Sequence, residues 1–196
     1  PRSHCPKCSH QLLTRHLIPI ISFLMLKGRC QFCKTSICIK YPLIEVISGI
    51  LTAYIFYLFE FTLMAAGSCV LIYILVALTF IDLAKKILPD SLTLSLVWLG
   101  FVFNLITKNI GIEESIIGAI SGYIFLQTVA MVFKLITAKE GLGQGDIKLT
   151  AGLGAWVGWP LLPALLVVSS SLGIIFQCKR IFQNDNNKPH EFAFGP

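Results

Sequence analysis

The sequence predicts an all-α polytopic membrane protein with a small four-cysteine domain at its N-terminus. Of its 196 residues 55% are hydrophobic and only 13% are charged, whereas soluble domains carry roughly 25% charged residues. Apolar blocks recur from Leu43 onward, and most are near the length that a helix needs to cross a hydrocarbon core of roughly 30 Å. The core of a soluble protein rarely shows five or six such blocks in succession.

The N-terminal domain is predicted from two Cys-x2-Cys pairs, which are Cys5 with Cys8 and Cys30 with Cys33. Two such pairs at this separation are typical of a tetrahedral four-cysteine zinc site, with disulfides or free thiols as the alternatives. The four cysteines close the site, so His4, His10 and His16 are interpreted as surface residues. The other cysteines lack a partner pattern and are expected to be small apolar side chains; they are Cys38, Cys69 and Cys178.

Between the cysteine pairs, the apolar run 17–26 is too short to cross a bilayer. We expect it to pack the zinc domain against the bilayer surface.

Six apolar segments follow the zinc domain, and the fifth is short. Pro42, Pro89 and Pro160 each precede a segment, where proline fits the first turn of a helix. Gly118 and Gly122 have the spacing that lets membrane helices approach closely. The segments are predicted at residues 43–59, 63–81, 92–106, 115–136, 149–157 and 161–177.

The distribution of basic residues predicts the orientation. The first 40 residues hold seven Lys and Arg and no acid, which favours a cytoplasmic N-terminus. Threading the chain back and forth from there leaves only Lys108 outside. Topology therefore accounts for the net charge of +6, so no nucleic-acid partner is invoked, and three aspartates are expected at cytoplasmic helix ends: Asp82, Asp90 and Asp146.

The predicted organisation has three parts: a zinc-ribbon-like domain at 1–41, a transmembrane domain at 42–178, and a cytoplasmic tail at 179–196. The chain opens with Pro1 and ends at FGP. We therefore expect a piece of a longer protein that lacks a segment at each end.

Asp82 lies at the end of an apolar run, where an acid is a functional candidate. The alternative is a helical ion pair of Asp82 with Lys85 or Lys86, which follow it by three and four residues. Asp90 follows Pro89 and is predicted as a helix N-cap. Asp146 follows a turn containing Gly141, Gly143 and Gly145 and precedes the fifth segment.

Two transmembrane segments separate Asp82 from Asp146, so the two acids can face each other across a helix bundle. Two carboxylates at a low-dielectric site would share a proton, which is the chemistry of an aspartic protease: one activates water and the other is the acid. No serine or cysteine nucleophile with a histidine base is apparent.

The sequence resembles the type IV prepilin leader peptidase family. The resemblance covers nearly the whole chain and is carried by CPKC, CQFC, KGRC, KYPLIEVISG, FIDLAKKILPDSLT and GQGDIKLTAGLGAWVGW. It implies a GxGD membrane aspartic peptidase in the bacterial inner membrane, with Asp82 and Asp146 catalytic and facing the cytoplasm. It further implies supporting positions at Asp90, Gly143, Gly145 and Lys148. On this hypothesis the glycines let the Asp146 loop bend and receive a substrate backbone.

The resemblance also implies the substrates and a second reaction. The family cuts prepilins of type IV pili and pseudopilins of type II secretion after a glycine that precedes a hydrophobic helix. It then methylates the new N-terminal residue with S-adenosylmethionine, for which Gly28, Arg29 and Glu45 are the candidates here. Alternatives are a catalytically inactive fragment of such an enzyme, a transporter component whose acids bind protons or cations, and a zinc-ribbon membrane scaffold.

Overall fold

The predicted all-α membrane fold is confirmed in the computed structural model, which describes residues 4–5, 7–11, 20–139 and 141–182. Helices α2 to α5 are long and apolar enough to cross a membrane. The helices of the described residues are α1 (Ile21–Met25), α2 (Lys40–Phe59), α3 (Leu63–Lys85), α4 (Asp90–Thr107), α5 (Ile112–Thr137), α6 (Gln144–Val157) and α7 (Leu162–Phe182).

Two helix boundaries differ from the sequence-based prediction in ways that affect the site. Helix α3 continues past Asp82 to Lys85, and a lysine in the last turn interacts favourably with the helix dipole. Helix α6 begins at Gln144, five residues before the predicted segment, so Asp146 lies within its first turn. Both acids are therefore held by helices rather than by loops.

The chain divides into two compact units, residues 1–72 and 73–196. In the first unit, α2 and the beginning of α3 pack around Ile55, Ala65 and Cys69. Cys69 is buried among these apolar side chains, as predicted for a cysteine without a metal or disulfide role.

The core of the second unit is built from α4, α5 and α6. Contacts of Leu96 with Gly152, and of Gly100 with Trp156, show that α4 runs parallel to α6. Helix α5 runs antiparallel to α6, because Gly118 lies against Gly154 and Gly122 against Thr150.

Glycines set the distance between α5 and α6. A methyl group added at Gly118 would clash with the carbonyl oxygen of Gly154, and one added at Gly154 would clash with that of Gly118. The close approach predicted for Gly118 and Gly122 is thus confirmed, and it depends on glycines of both helices.

At the far end of α6, buried polar side chains satisfy its last carbonyl groups, which have no partner within the helix. Asn104 Nδ2 donates to the carbonyl oxygens of Ala155 at 2.9 Å and Trp156 at 3.3 Å. Ser115 Oγ also donates to the Ala155 carbonyl. Asn104 and Ser115 are almost fully buried, so this end of α6 is fixed laterally by α4 and α5.

Candidate active site and metal centre

Asp82 and Asp146 lie close enough to interact electrostatically. Asp82 is in the last turn of α3 and Asp146 is the third residue of α6. Both side chains are half-buried.

The surroundings of Asp146 favour its protonated form. Burial, and then the negative charge of Asp82, raise the pKa of the Asp146 carboxyl to about 6, although a hydrogen bond with the Gly143 backbone opposes the rise. Asp146 belongs to the first turn of α6, outside the four helices that are long enough to cross the membrane. An acid that favours its protonated form beside a second carboxylate is suited to donate a proton.

The glycines before and beside Asp146 serve packing rather than unusual backbone torsions. Gly143 is the N-cap of α6 with φ −71° and ψ 141°, which other residues also adopt. A methyl group added at Gly145 would lie 2.7 Å from Leu88 Cβ, and one added at Gly141 would clash with the Phe133 ring. Gly145 thus lets the first turn of α6 approach the loop between α3 and α4.

The prediction of Asp90 as an N-cap is wrong. Asp90 is the first residue of α4, and Pro89 holds the cap position without a side-chain hydrogen bond. The Asp90 carboxylate instead pairs with Lys148, whose Nζ lies 2.6 Å from Asp90 Oδ1. This charge-assisted contact joins two helices, whereas a cap would act within one helix.

The two acids lie at one end of the second unit. The end of α3 and the beginning of α6 carry them, while Asn104 and Ser115 mark the opposite end of α6. Transport sites are typically formed near the middle of the bilayer by interrupted helices, so this position disfavours the transporter alternative. Lys108, Glu113 and Glu114 belong to the opposite end, near the turn between α4 and α5.

The four predicted zinc ligands converge in the first unit. The Sγ atoms of Cys5, Cys8, Cys30 and Cys33 all lie within 4.8 Å of one another. The two turns that carry them have the same geometry. Cys5 N–H donates to the His10 carbonyl and Cys30 N–H to the Thr35 carbonyl, and the residue before each acceptor, Ser9 or Lys34, has a positive φ.

This arrangement fits a zinc ion. Four thiolates at about 2.3 Å from a tetrahedral zinc lie about 3.8 Å from one another, and Cys5 Sγ is 3.9 Å from Cys33 Sγ. His4 and His10 are exposed and do not belong to the cluster among the described residues; His16 lies outside the described residues. When bound, zinc would cross-link the two cysteine turns.

The three methyl-transfer candidates occupy distinct structural positions. Gly28 has φ +68°, a conformation that favours glycine, and it packs against the Phe23 ring. Arg29 is exposed and forms a backbone bridge with Ser36. Glu45 Oε2 accepts a hydrogen bond from the Ile20 N–H at 3.0 Å, so this acid near the beginning of α2 has a partner.

Sequence reasoning missed Asn104, Ser115 and Leu88. Asn104 and Ser115 stand inside predicted apolar segments, where a single polar residue gives no indication of its partner. Leu88 precedes Pro89 and looks like an ordinary apolar residue in the sequence, although it packs against Gly145 of α6.

The fold and the two sites define a class: a multi-pass membrane protein that combines two interacting acids at one end of a helix bundle with a four-cysteine cluster that fits a metal ion.

Comparison with known proteins identifies the family. The model of the type IV leader peptidase family matches residues 69–178, and that of the bacterial peptidase A24 N-terminal domain matches residues 1–59. The chain therefore belongs to the type IV leader peptidase family of inner-membrane enzymes. No solved structure matches it significantly.

The relatives named prepilin leader peptidase/N-methyltransferase align with the whole chain. The protein of Aeromonas salmonicida strain A449 is 42% identical over 196 residues, which are 67% of its length. That of Neisseria gonorrhoeae is 41% identical, with the same share covered. That of Pseudomonas aeruginosa is 38% identical, with 68% covered.

Proposed function

We propose that this protein removes the leader peptide from prepilins or pseudopilins with Asp82 and Asp146 as its catalytic pair. The observation that carries the proposal is the electrostatic interaction of these two half-buried acids at one end of the bundle. Family membership and the names of the relatives support the substrate class.

In the proposed reaction, one carboxylate removes a proton from water, and the resulting hydroxide attacks the carbonyl carbon of the scissile peptide. The protonated partner gives its proton to the carbonyl oxygen, and the leaving nitrogen then receives the proton that the base took from water as the C–N bond breaks. The raised pKa of Asp146 suits it to the role of the acid, with Asp82 as the base. Such proton transfers contribute roughly 10²–10⁴-fold to the rate.

Cleavage is proposed to occur on the cytoplasmic side of the inner membrane. In the second unit, Lys85, Lys86, Lys134 and Lys139 belong to the helix ends on the side of the two acids. This agrees with the excess of basic residues that marks cytoplasmic loops. Reporter fusions after residues 86 and 109 test the orientation: a fluorescent protein that folds only in the cytoplasm should report from the first position and not from the second.

We also propose that the enzyme methylates the new N-terminus, with S-adenosylmethionine as donor. The released amine would attack the donor methyl group, break its bond to sulfur and lose a proton. Gly28, Arg29 and Glu45 remain the proposed residues. The exposed guanidinium of Arg29 suits the carboxylate of the donor, and Gly28 is the glycine that its backbone turn requires.

The test uses the chain reconstituted in liposomes with a full-length prepilin, and mass spectrometry follows leader removal. Asp82→Asn and Asp146→Asn should each lower cleavage by roughly 10²–10⁴-fold. Glu113→Gln is the matched acid-to-amide control in the first turn of α5, and it should cleave normally. Normal cleavage by either aspartate variant would exclude that residue as catalytic.

The same experiment addresses the inactive-fragment alternative. If the unmodified chain folds but does not cleave, the chain is not a sufficient peptidase. Methylation is measured separately with a substrate that already lacks its leader, so loss of one reaction is distinguished from loss of the other.

A further inference from the structure

We propose that α1 is an interfacial anchor that lies at the boundary between the headgroups and acyl chains of the bilayer and holds the zinc domain on the membrane. The partner is an anionic lipid surface. This proposal is independent of the catalytic assignment.

The first observation is the apolar surface of α1. The exposed fractions of Ile21, Leu24 and Met25 are 54%, 68% and 78%, and α1 contains no buried residue. Exposure of three large apolar side chains to water is unfavourable for a helix of only five residues. A helix this short is also unstable alone in water, so burial at an interface would stabilise it.

The second observation fixes the depth of α1 relative to α2 within the first unit. The Ile20 N–H, at the beginning of α1, donates to Glu45 Oε2 of α2 at 3.0 Å. Helix α2 has 20 residues, and at 1.5 Å per residue it is about 30 Å long, the thickness of a hydrocarbon core. Glu45 lies five residues after Lys40, or about 7.5 Å along that length.

That depth is where interfacial helices bind, since their apolar faces enter roughly 5–10 Å into the boundary between headgroups and acyl chains. It also accounts for the hydrogen bond. A carboxylate this far along a membrane helix requires a donor, and the backbone of α1 supplies one.

The third observation is the charge around α1. Lys27, Arg29 and Lys40 flank it and are exposed, and no acid precedes Glu45 in the sequence. Basic residues beside an apolar face strengthen binding to anionic lipids. The surface around α1 thus combines apolar side chains with flanking basic residues, the two features of a helix that binds an anionic lipid surface.

The test measures the environment of position 24 in the zinc-loaded protein. The Leu24→Trp variant is reconstituted in bilayers brominated at shallow or deep acyl positions, and the unmodified chain provides the background of its native tryptophans. The fluorescence of the introduced indole should be quenched by shallow bromine more than by deep bromine, and the indole should be shielded from aqueous acrylamide.

Matched variants of Glu45 test the tether. Glu45→Gln keeps an oxygen acceptor for the Ile20 N–H, and Glu45→Ala removes it. When each is combined with Leu24→Trp, bromine quenching of the introduced indole should persist with glutamine and fall with alanine, while zinc content stays the same in both. Removing phosphatidylglycerol from the bilayer should weaken the quenching.

Two results would overturn the proposal. Quenching of the introduced indole by acrylamide without quenching by bromine would place α1 in water. Shielding from both quenchers would place α1 against protein, either a second copy or another part of this chain.

Discussion

Lys148 Nζ lies 2.6 Å from Asp90 Oδ1, and this ion pair joins the beginning of α6 to the first residue of α4. Lys148 follows Asp146 by two residues, so the two side chains leave α6 in nearly opposite directions. Asp146 is influenced by the charge of Asp82, whereas Lys148 contacts Asp90. The pair therefore holds α6 against α4 without entering the acid site.

Breaking this pair should affect stability modestly. The Asp90 side chain is 62% exposed, and exposed ion pairs contribute roughly 0.2–1 kcal/mol. Asp90→Asn, Lys148→Met and the double variant form a thermodynamic cycle, measured by denaturant unfolding in detergent. A coupling free energy well above this range would contradict the geometry and indicate a larger role for the pair.

Gly145→Ala should destabilise the second unit, because its methyl group would lie 2.7 Å from Leu88 Cβ. Overpacking typically costs about 1–3 kcal/mol. A matched Gly49→Ala variant should not destabilise, since nothing lies within 4 Å of a methyl group there. In a Leu88→Gly background, which removes that Cβ, Gly145→Ala should cost less; additive effects of the two changes would rule out their contact.

Asp146 should make stability depend on pH with a definite sign. Its pKa is raised in the folded protein from 3.8 to about 6, so folding favours the protonated acid. The resulting destabilisation is absent below about pH 3.8, grows between the two values and is complete above about pH 6. Asp146→Asn removes it and should raise the melting temperature more at about pH 7.5 than at about pH 4.

The charge of Asp82 contributes to this effect after burial. In an Asp82→Asn background, the gain from Asp146→Asn near neutral pH should therefore shrink without disappearing. An unchanged gain would show that the two acids do not interact, and this would also remove the main support for the catalytic pair.

Removal of zinc should unfold the N-terminal domain. Structural zinc sites contribute about 10–16 kcal/mol to the folding of small domains, which is comparable to the roughly 5–15 kcal/mol stability of a typical domain. Cys30→Ser should abolish zinc binding, measured by metal analysis, and should loosen the cysteine turns in hydrogen exchange. Cys38→Ser is the control, because Cys38 is an exposed cysteine outside the cluster.

Asn104→Leu should destabilise the second unit more than Ser115→Ala. Leucine leaves the Trp156 carbonyl without its Asn104 donor and the Ala155 carbonyl with Ser115 alone. A buried unsatisfied polar group costs roughly 1–3 kcal/mol. Ser115→Ala leaves Asn104 bound to both carbonyls, so its loss is smaller, and equal losses in chemical denaturation would refute the assignment.

The sequence predicts much of the architecture because the bilayer and the metal impose simple rules. The helical segments follow from the length of the apolar runs, and the four-cysteine cluster follows from the spacing of two cysteine pairs. Gly118 and Gly122 could likewise be assigned to a close helix contact from their spacing alone. The predicted domain boundaries, catalytic residues and methyl-transfer residues remain predictions.

The sequence could not locate the ends of α3 and α6, because the hydrophobicity signal stops where polar residues begin although the helix continues. Asp82 and Asp146 therefore lie in helical turns that hydrophobicity did not indicate. The sequence also did not reveal that Asp90 pairs with Lys148. A helix cap can be predicted from neighbouring residues, whereas Lys148 is 58 residues away.

The sequence by itself determined the class of protein, the order of its membrane segments, its four-cysteine cluster and the acids available for chemistry. These depend on composition and on spacing over a few turns. Only the tertiary structure decided the side-chain partners: Asp82 with Asp146, Asp90 with Lys148, Gly145 with Leu88 and Asn104 with the end of α6. Such pairs depend on the distance and direction between helices that are remote in the chain, and these are set by packing.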